Sequence, residues 1–94
     1  MNPIIFEEVK IELPELRTFY KKVERHLTFS ELRILIILLS EPARIVPTSE
    51  LIHRANLTSR ESLAKYINSL RDIMDKKYIF THRNLGYSFS KESS

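Results

Sequence analysis

Two matching helix-start signals most constrain what this chain can fold into. In a capping box, a Ser or Thr and a Glu or Gln three residues later bond the free N–H groups of a helix's first turn. The chain carries one such pattern at Thr28 and Glu31 and a second at Thr58 and Glu61. Each stands just before a stretch of periodic apolar residues, so the sequence predicts one helix after residue 28 and another after residue 58.

The first of these helices is apolar on nearly every side. One stripe and the opposite face are both built from apolar residues, namely Leu32, Leu35, Ile36 and Leu39, then Ile34, Ile37 and Leu38. A helix without a polar face is typically buried, so this one is predicted to run through the core. Leu27 can pack onto Leu32 at its start, and the helix is expected to end near Ser40, ahead of Pro42.

The second half of the helical region resembles a helix-turn-helix. A short helix is predicted over residues 48–55, then the turn "NLTS", then a longer helix reaching about Asp75. The longer helix has an apolar stripe (Leu63, Ile67, Leu70 and Met74) and an opposite polar face (Glu61, Lys65, Asn68 and Asp72). Two helices joined this way fit a helix-turn-helix, although other helical hairpins share the pattern.

Strands are predicted at both ends of the chain. Residues 4–27 alternate loosely between apolar and polar types, which favours short antiparallel strands with Pro14 at a turn. The stretch "YIFTHRNLGYSFS" reads as a hairpin with Arg83 at its tip, and either Asn84 or Gly86 can supply a positive φ there. A hairpin directly after a helix-turn-helix describes a winged helix.

Composition excludes several classes of protein. The chain has no cysteine, and its three histidines stand on different elements without metal-ligand spacing, so we expect no disulfide, metal or other cofactor. No phosphate loop or nucleophile–base pair is evident, and we expect no enzyme. The longest apolar run is too short to span a bilayer, which favours a cytoplasmic protein. The net charge of +3 lies in residues 48–94, which fits either an anionic partner or an ordinary solvated surface.

With these elements in place, the sequence resembles the winged-helix output domains of OmpR/PhoB-type response regulators, from about Ile4 to Phe89. The resemblance rests on "IIFEEVKIEL", "HLTFSELRILIILLSEPARIV", "LAKYINSLRDIM" and "THRNLGYSFS". It implies an α+β fold with an N-terminal antiparallel sheet, a three-helix bundle and a C-terminal hairpin wing. The predicted fold is a single domain that covers residues 1–94. It consists of the N-terminal strands (1–27), the helices (28–76, with the helix-turn-helix at 48–75) and the wing (77–90).

The resemblance also implies binding to double-stranded DNA for transcription regulation, with the third helix in the major groove and the wing in the minor groove. The Asn68 side chain can hydrogen-bond adenine at N6 and N7, and the Ser69 hydroxyl can bond several bases. The candidate contact residues are Arg60, Ser62, Lys65, Tyr66, Asn68, Ser69, Arg71, Thr81, Arg83 and Tyr87. Glu61 is four residues before Lys65, and a pair between them would leave the lysine less free for a phosphate.

Partners follow from the same resemblance. Such domains usually follow a phosphorylated receiver domain, and pair head to tail on direct repeats while remaining monomeric alone. RNA polymerase contacts some members through the loop that is cut short here to "NLTS". Two departures from the family pattern are Tyr66 at a frequent histidine position and a single glycine in the wing. A winged helix that binds another protein instead of DNA is the alternative function.

Overall fold

Four short strands open the chain and pair in sequence order. In the computed structural model, which describes residues 2–91, they are β1 (Ile4–Phe6), β2 (Val9–Glu12), β3 (Arg17–Tyr20) and β4 (Val23–Arg25). Each pairs antiparallel with the next, so the sheet is a simple meander. Val9, Ile11 and Tyr20 point into the core, as the period of two requires. Pro14 lies in the turn between β2 and β3, as predicted.

The predicted first helix, α1 (Phe29–Ser40), is confirmed together with its cap. Thr28 Oγ1 accepts a hydrogen bond from the Glu31 N–H at 3.2 Å, and the Thr28 N–H donates to Glu31 Oε1 at 2.8 Å. The buried apolar residues of α1 are Ile34, Leu35, Ile37, Leu38 and Leu39. Leu32 and Ile36 are half-buried, and Phe29 has 70% of its surface exposed. No helix within residues 2–91 is long and apolar enough to cross a membrane.

The remaining helices are α2 (Thr48–Arg54) and α3 (Arg60–Ile73), and the predicted cap of α3 is wrong by one residue. Ser59, not Thr58, precedes the helix, and its hydroxyl accepts from the Ser62 N–H at 3.1 Å. Ser59 has the extended backbone of an N-cap, with φ at −159°. Two adjacent hydroxyl residues offer the same capping chemistry, and the path of the turn decides between them.

A second sheet joins the C-terminal hairpin to the loop before α2. The hairpin strands are β6 (Ile79–His82) and β7 (Gly86–Phe89), and a two-residue strand, β5 (Val46–Pro47), pairs with the other side of β7. The sequence did not predict β5. Pro47 has no N–H to donate, and its position on an outer strand of the sheet suits that limitation. The central strand β7 is therefore held on both edges.

An aromatic cluster connects the two sheets. The rings of Tyr78 and Phe89 stack at 5.4 Å between centroids, and Phe6 from β1 packs edge-on against Phe89 at 5.1 Å. Tyr20 from β3 lies edge-on to Tyr78 at 6.4 Å. The Tyr78 hydroxyl donates to Glu8 Oε1 at 2.7 Å, and Tyr20 is buried beside it. The N-terminal sheet is thus fastened to the base of the hairpin by ring packing and one polar contact.

We expect alkaline pH to destabilise the domain through Tyr20 and Tyr78. Burial is the main cause that raises the pKa of both hydroxyls, and the Glu8 carboxylate raises that of Tyr78 further. The folded state therefore keeps these protons after the unfolded chain loses them. The stabilisation is complete below a pH of about 10, the ordinary tyrosine value, and is lost as the pH rises toward the folded pKa.

Urea unfolding over a pH range of about 9 to 12 measures this effect. Each tyrosine contributes a slope of up to about 1.4 kcal/mol per pH unit to the free energy of unfolding. Tyr78→Phe should remove one such contribution and flatten the curve, even though it also lowers stability at neutral pH by removing the bond to Glu8. An identical slope in the variant and the wild type would contradict the assignment.

Candidate nucleic-acid interface

The third helix carries a polar face opposite its core stripe, as the sequence predicted. Leu63, Ile67, Leu70 and Met74 are buried. The residues of the outward face are all exposed: Glu61, Lys65, Asn68 and Asp72. Of the candidate DNA contacts, Lys65 and Asn68 are therefore the two that lie on this face.

The other candidates on α3 are divided between its two flanks. At 3.6 residues per turn, Arg60 and Arg71 fall on the flank that faces the hairpin. Ser62, Tyr66 and Ser69 fall on the opposite flank, and Tyr66 packs partly against the core. The structure brings Arg60 and Arg71 together with the candidates on the hairpin, but it does not gather all seven helix residues on one surface.

The hairpin of β6 and β7 forms the predicted wing, with an exposed tip. Thr81 and Tyr87 are direct cross-strand partners, and the turn beyond them holds Arg83, Asn84 and Leu85. Arg83 is exposed at this tip. The positive φ of the turn, 62°, belongs to Asn84. Of the two residues proposed for that conformation, Asn84 adopts it and Gly86 does not.

Gly86 is required for a different reason, which is the close approach of two strands. A Cβ added to this residue would stand 1.9 Å from the Val46 carbonyl oxygen and 2.8 Å from the Pro47 Cα. Both contacts are to the backbone of β5, which cannot rotate away as a side chain can. The wing is held to the start of α2 by a further bond, from the Thr48 N–H to the Leu85 carbonyl at 3.2 Å.

Arg71 connects the third helix to both strands of the wing. Its Nε donates to the Ile79 carbonyl at 3.2 Å, and its Nη2 donates to Thr81 Oγ1. The guanidinium carbon lies 6.0 Å from the centre of the Tyr87 ring. One half-buried side chain therefore contacts two of the three candidate residues on the wing.

The wing, α3 and the start of α2 enclose a groove, which we call the wing groove. It has a volume of about 420 Å³ and is lined by Pro47, Thr48, Ser49, Arg60, Ala64, Thr81, His82, Asn84, Leu85, Gly86 and Tyr87. Sequence reasoning missed Thr48, Ser49 and His82. Two adjacent hydroxyl residues at a helix start were visible in the sequence, but only the pairing of β5 with β7 brings them to the wing.

A larger hollow lies elsewhere and contains none of the candidate residues. It measures about 650 Å³ and lies on the N-terminal sheet, between Ile5 and Phe19. Its rim carries both signs of charge, from Glu7, Glu8, Lys10, Lys21 and Lys22. A rim of mixed charge does not select an anion, so the wing groove is the better candidate for nucleic acid.

Ion pairs occupy some cations of the domain and leave others available. Arg44 and Arg54 flank Glu50 at 2.8 and 2.9 Å, and their hydrogen bonds lower the pKa of that carboxylate to about 2. By contrast, all four candidate cations take part in no ion pair within residues 2–91, namely Arg60, Lys65, Arg71 and Arg83. Cations with no carboxylate partner are the ones that can meet an anion at little cost.

The ion pair that the spacing of Glu61 and Lys65 allows does not form within residues 2–91. None of the ion pairs in the described part of the chain joins these residues, although both are exposed on the same helix face. Such a helix pair is worth only a few tenths of a kcal/mol, which scarcely offsets the entropy of fixing two long side chains. Lys65 therefore remains available to a phosphate.

The fold and the wing groove agree with a family match over most of the chain. The family described as "Transcriptional regulatory protein, C terminal" matches residues 22–89. The chain belongs to this family. The match takes in β4, all three helices and the complete wing, so every element that surrounds the wing groove lies within it. The resemblance to OmpR/PhoB-type output domains is thereby confirmed.

Solved structures share the fold at low sequence identity. The response regulator DrrB of Thermotoga maritima, described as an OmpR/PhoB homologue, superposes with a TM-score of 0.83 at 23% identity, over 94% of this chain and 44% of DrrB. The RstA DNA-binding domain of Klebsiella pneumoniae, in complex with the RstA box, gives 0.83 at 20% identity, over 96% and 98% of the two chains. The DNA-binding domain of CpxR from E. coli gives 0.83 at 16%, over 99% and 100%.

The chain is much shorter than DrrB. The chain spans less than half of DrrB, whereas it corresponds to nearly the whole of the isolated RstA and CpxR domains. No curated protein sequence matches the chain significantly.

Proposed function

We propose that residues 1–94 form one sequence-specific, double-stranded DNA-binding domain that regulates transcription. Membership of a family of transcriptional regulators supports this, and relatives with the same fold include domains solved on DNA. The observation that carries the proposal is the wing groove. Arg60 lines it together with Thr81 and Tyr87, and the exposed Arg83 stands at its edge, between the lining residues His82 and Asn84. Neither arginine forms an ion pair within residues 2–91, so the groove and its edge offer both charge and hydrogen-bonding groups.

In this proposal the outward face of α3 enters the major groove. Asn68 is exposed near the middle of that face, and an asparagine amide can bond adenine at N6 and N7 together. Lys65 stands one turn earlier and is available to a phosphate. Glu61 and Asp72 are exposed toward the two ends of this face, where their charges would repel DNA. The middle of the face, around Lys65 and Asn68, therefore makes the closest approach.

The wing has the shape and charge to reach the adjacent minor groove. Its tip is held to α2 through Thr48, so Arg83 is presented on a fixed support. An arginine side chain is long enough to enter a narrow minor groove, where the negative potential is strongest. Thr81 and Tyr87 lie directly behind the tip and can donate hydroxyl hydrogens to the phosphates on either side.

We further propose that the domain acts as the output part of a response regulator or of a relative without a receiver. Alone it is a monomer, and two copies pair on direct repeats about one helical turn apart. RNA polymerase is a further partner of such an assembly. A transcription regulator works where the DNA is, so the proposed location is the cytoplasm, and the domain needs neither cofactor nor catalytic residues.

A second candidate function is binding to another protein through α1 and α2. Phe29 is 70% exposed on α1, and a shallow hollow beside it is lined by Arg33, Ile36, Ile37, His53 and Arg54. The two functions respond differently to salt. Binding to DNA through several phosphates weakens steeply as salt rises, whereas an apolar protein interface does not.

Arg83→Ala tests the proposed function at the wing tip. The side chain is exposed and unpaired within residues 2–91, so the melting temperature should hardly change. Affinity for DNA should fall, and the slope of log K against log salt should decrease by about 0.9, the value for one lost phosphate contact. The measurement is a salt titration with duplexes that the wild-type domain selects from random DNA.

Arg25→Ala is the matched control, because it removes the same charge from an exposed position on the N-terminal sheet. Its affinity and salt slope should stay near those of the wild type. If both variants lose affinity equally, net charge rather than the wing tip determines binding. If the wild-type domain selects no DNA, the proposed function fails and the protein-binding candidate takes its place.

A further inference from the structure

Arg71 differs from the other cations of the interface because two of its five N–H donors are already engaged within the domain. Its Nε–H is bonded to the Ile79 carbonyl, one Nη2–H to the Thr81 hydroxyl, and the guanidinium lies beside the Tyr87 ring. Three N–H groups remain, but the two bonds fix the orientation of the guanidinium against the wing, and it cannot turn toward a phosphate without breaking them. Its basic character suggested such a contact from the sequence, but the observed hydrogen bonds direct the side chain to the wing.

The position of β6 explains why the wing needs this side chain. β6 is an outer strand of its sheet, so the carbonyls that face away from β7 have no neighbouring strand. Arg71 supplies a donor to one of them, at Ile79. The planar fork of a guanidinium can bond this backbone oxygen and the nearby Thr81 oxygen at the same time, which a lysine ammonium cannot reproduce with the same geometry.

The bond to Thr81 also fixes the direction of the threonine hydroxyl. A hydroxyl has one hydrogen to donate, and Thr81 Oγ1 accepts from a cation, so its own hydrogen must point elsewhere. Thr81 is exposed, and the free direction is toward solvent. Accepting a bond from a charged donor also makes the hydroxyl a better donor itself. The arrangement prepares Thr81 to donate to an anionic oxygen.

We propose that Arg71 is a positioning residue, which acts on DNA through the wing and not by touching it. It orients the cross-strand pair Thr81 and Tyr87 toward the phosphates and fixes the wing relative to α3. This inference rests on the proposed DNA-binding function. It predicts that full DNA affinity requires the planar guanidinium of Arg71, and that a positive charge at this position is not enough.

Arg71→Lys separates the two roles, because lysine keeps the charge and is itself a good phosphate ligand. A positioning role predicts roughly fivefold weaker binding to duplexes selected by the wild-type domain, with the salt slope unchanged. The affinity of Arg71→Met for the same duplexes should then fall to a similar extent. A direct phosphate contact predicts the opposite, with affinity retained by lysine and lost, together with about 0.9 of slope, by methionine.

A double-mutant cycle with Thr81→Val adds a second readout. Valine keeps the shape of threonine and removes the hydroxyl, so the effect of Arg71→Lys should shrink in the Thr81→Val background. Equal effects in both backgrounds would overturn the positioning role, as would wild-type affinity in Arg71→Lys.

Amide hydrogen exchange of the free domain tests the same contact without DNA. Arg71→Lys should speed exchange in β6 and β7 while leaving β1 to β4 unchanged. If the wild-type domain binds no DNA, the proposed function fails, and this measurement still decides whether Arg71 holds the wing. Unchanged exchange in β6 and β7 would overturn the inference.

Discussion

Replacing Gly86 by alanine should destabilise the domain by about 3 kcal/mol or more and abolish DNA binding. The new Cβ would meet the Val46 carbonyl oxygen at 1.9 Å, far inside any real contact distance. Relief requires β5 and β7 to separate, which breaks their pairing and the bond from the Thr48 N–H to the Leu85 carbonyl. The wing would then lose its support on α2.

Thermal unfolding and DNA binding both measure this effect. For a domain of this size, a loss of 3 kcal/mol lowers the melting temperature by roughly 12 °C or more. Asn84→Gly is the matched control two residues away, since Asn84 holds the positive φ of the turn and glycine accepts that conformation freely. It should change stability by less than about 0.5 kcal/mol. A stable Gly86→Ala protein would show that β5 can move aside cheaply.

This pair of residues shows what the sequence could reveal about the wing. The hairpin was predictable because aromatic and β-branched residues flank a turn that contains asparagine and glycine, which is a local pattern. The role of Gly86 was not, because it depends on a strand forty residues earlier in the chain. A lone glycine in a turn suggests conformational freedom, and the contact with Val46 is invisible without the fold.

In the helical region too, features that depend on neighbouring residues were predictable, and features that depend on distant contacts were not. The capping box at Thr28 and the stripe of α3 were predicted correctly, because both depend on spacing within one or two turns. The cap of α3 was assigned to Thr58 instead of Ser59, since either hydroxyl residue can cap a helix and the local sequence does not distinguish them. The strand β5 was missed because two residues with a proline carry no recognisable pattern.

The candidate interface was predictable in its residue types but not in its geometry. Asn68 and Lys65 lie on the outward face that helical periodicity assigns to them. Whether Arg71 reaches DNA or the wing depends on how α3 lies against β6, which is a tertiary feature. Thr48 and Ser49 reach the wing groove for a similar reason, through the pairing of β5 with β7. Their roles in binding DNA remain predictions.

Phe89→Ala should have an even larger effect on stability than the change at Gly86. Phe89 is fully buried, stacks on Tyr78 and receives the edge of Phe6, so it touches both the wing and the N-terminal sheet. The bond from the Ala43 N–H to the Phe89 carbonyl, at 2.7 Å, belongs to the backbone and is kept by alanine. The expected loss therefore comes from the ring, which packs on both the wing and the N-terminal sheet.

Removing a buried phenyl ring typically costs about 3–5 kcal/mol, because its contacts are lost and a cavity is left. A domain of this length has a total stability on the order of 5–14 kcal/mol, so the loss is a large share of the whole. Phe29→Ala is the matched control, since the same substitution is made at a ring that is 70% exposed. Urea unfolding should place Phe29→Ala within about 0.5 kcal/mol of the wild type. If Phe89→Ala lowered the free energy of unfolding no more than its control does, the aromatic cluster would not be what joins the N-terminal sheet to the wing. Hydrogen exchange should then show the two sheets unfolding separately.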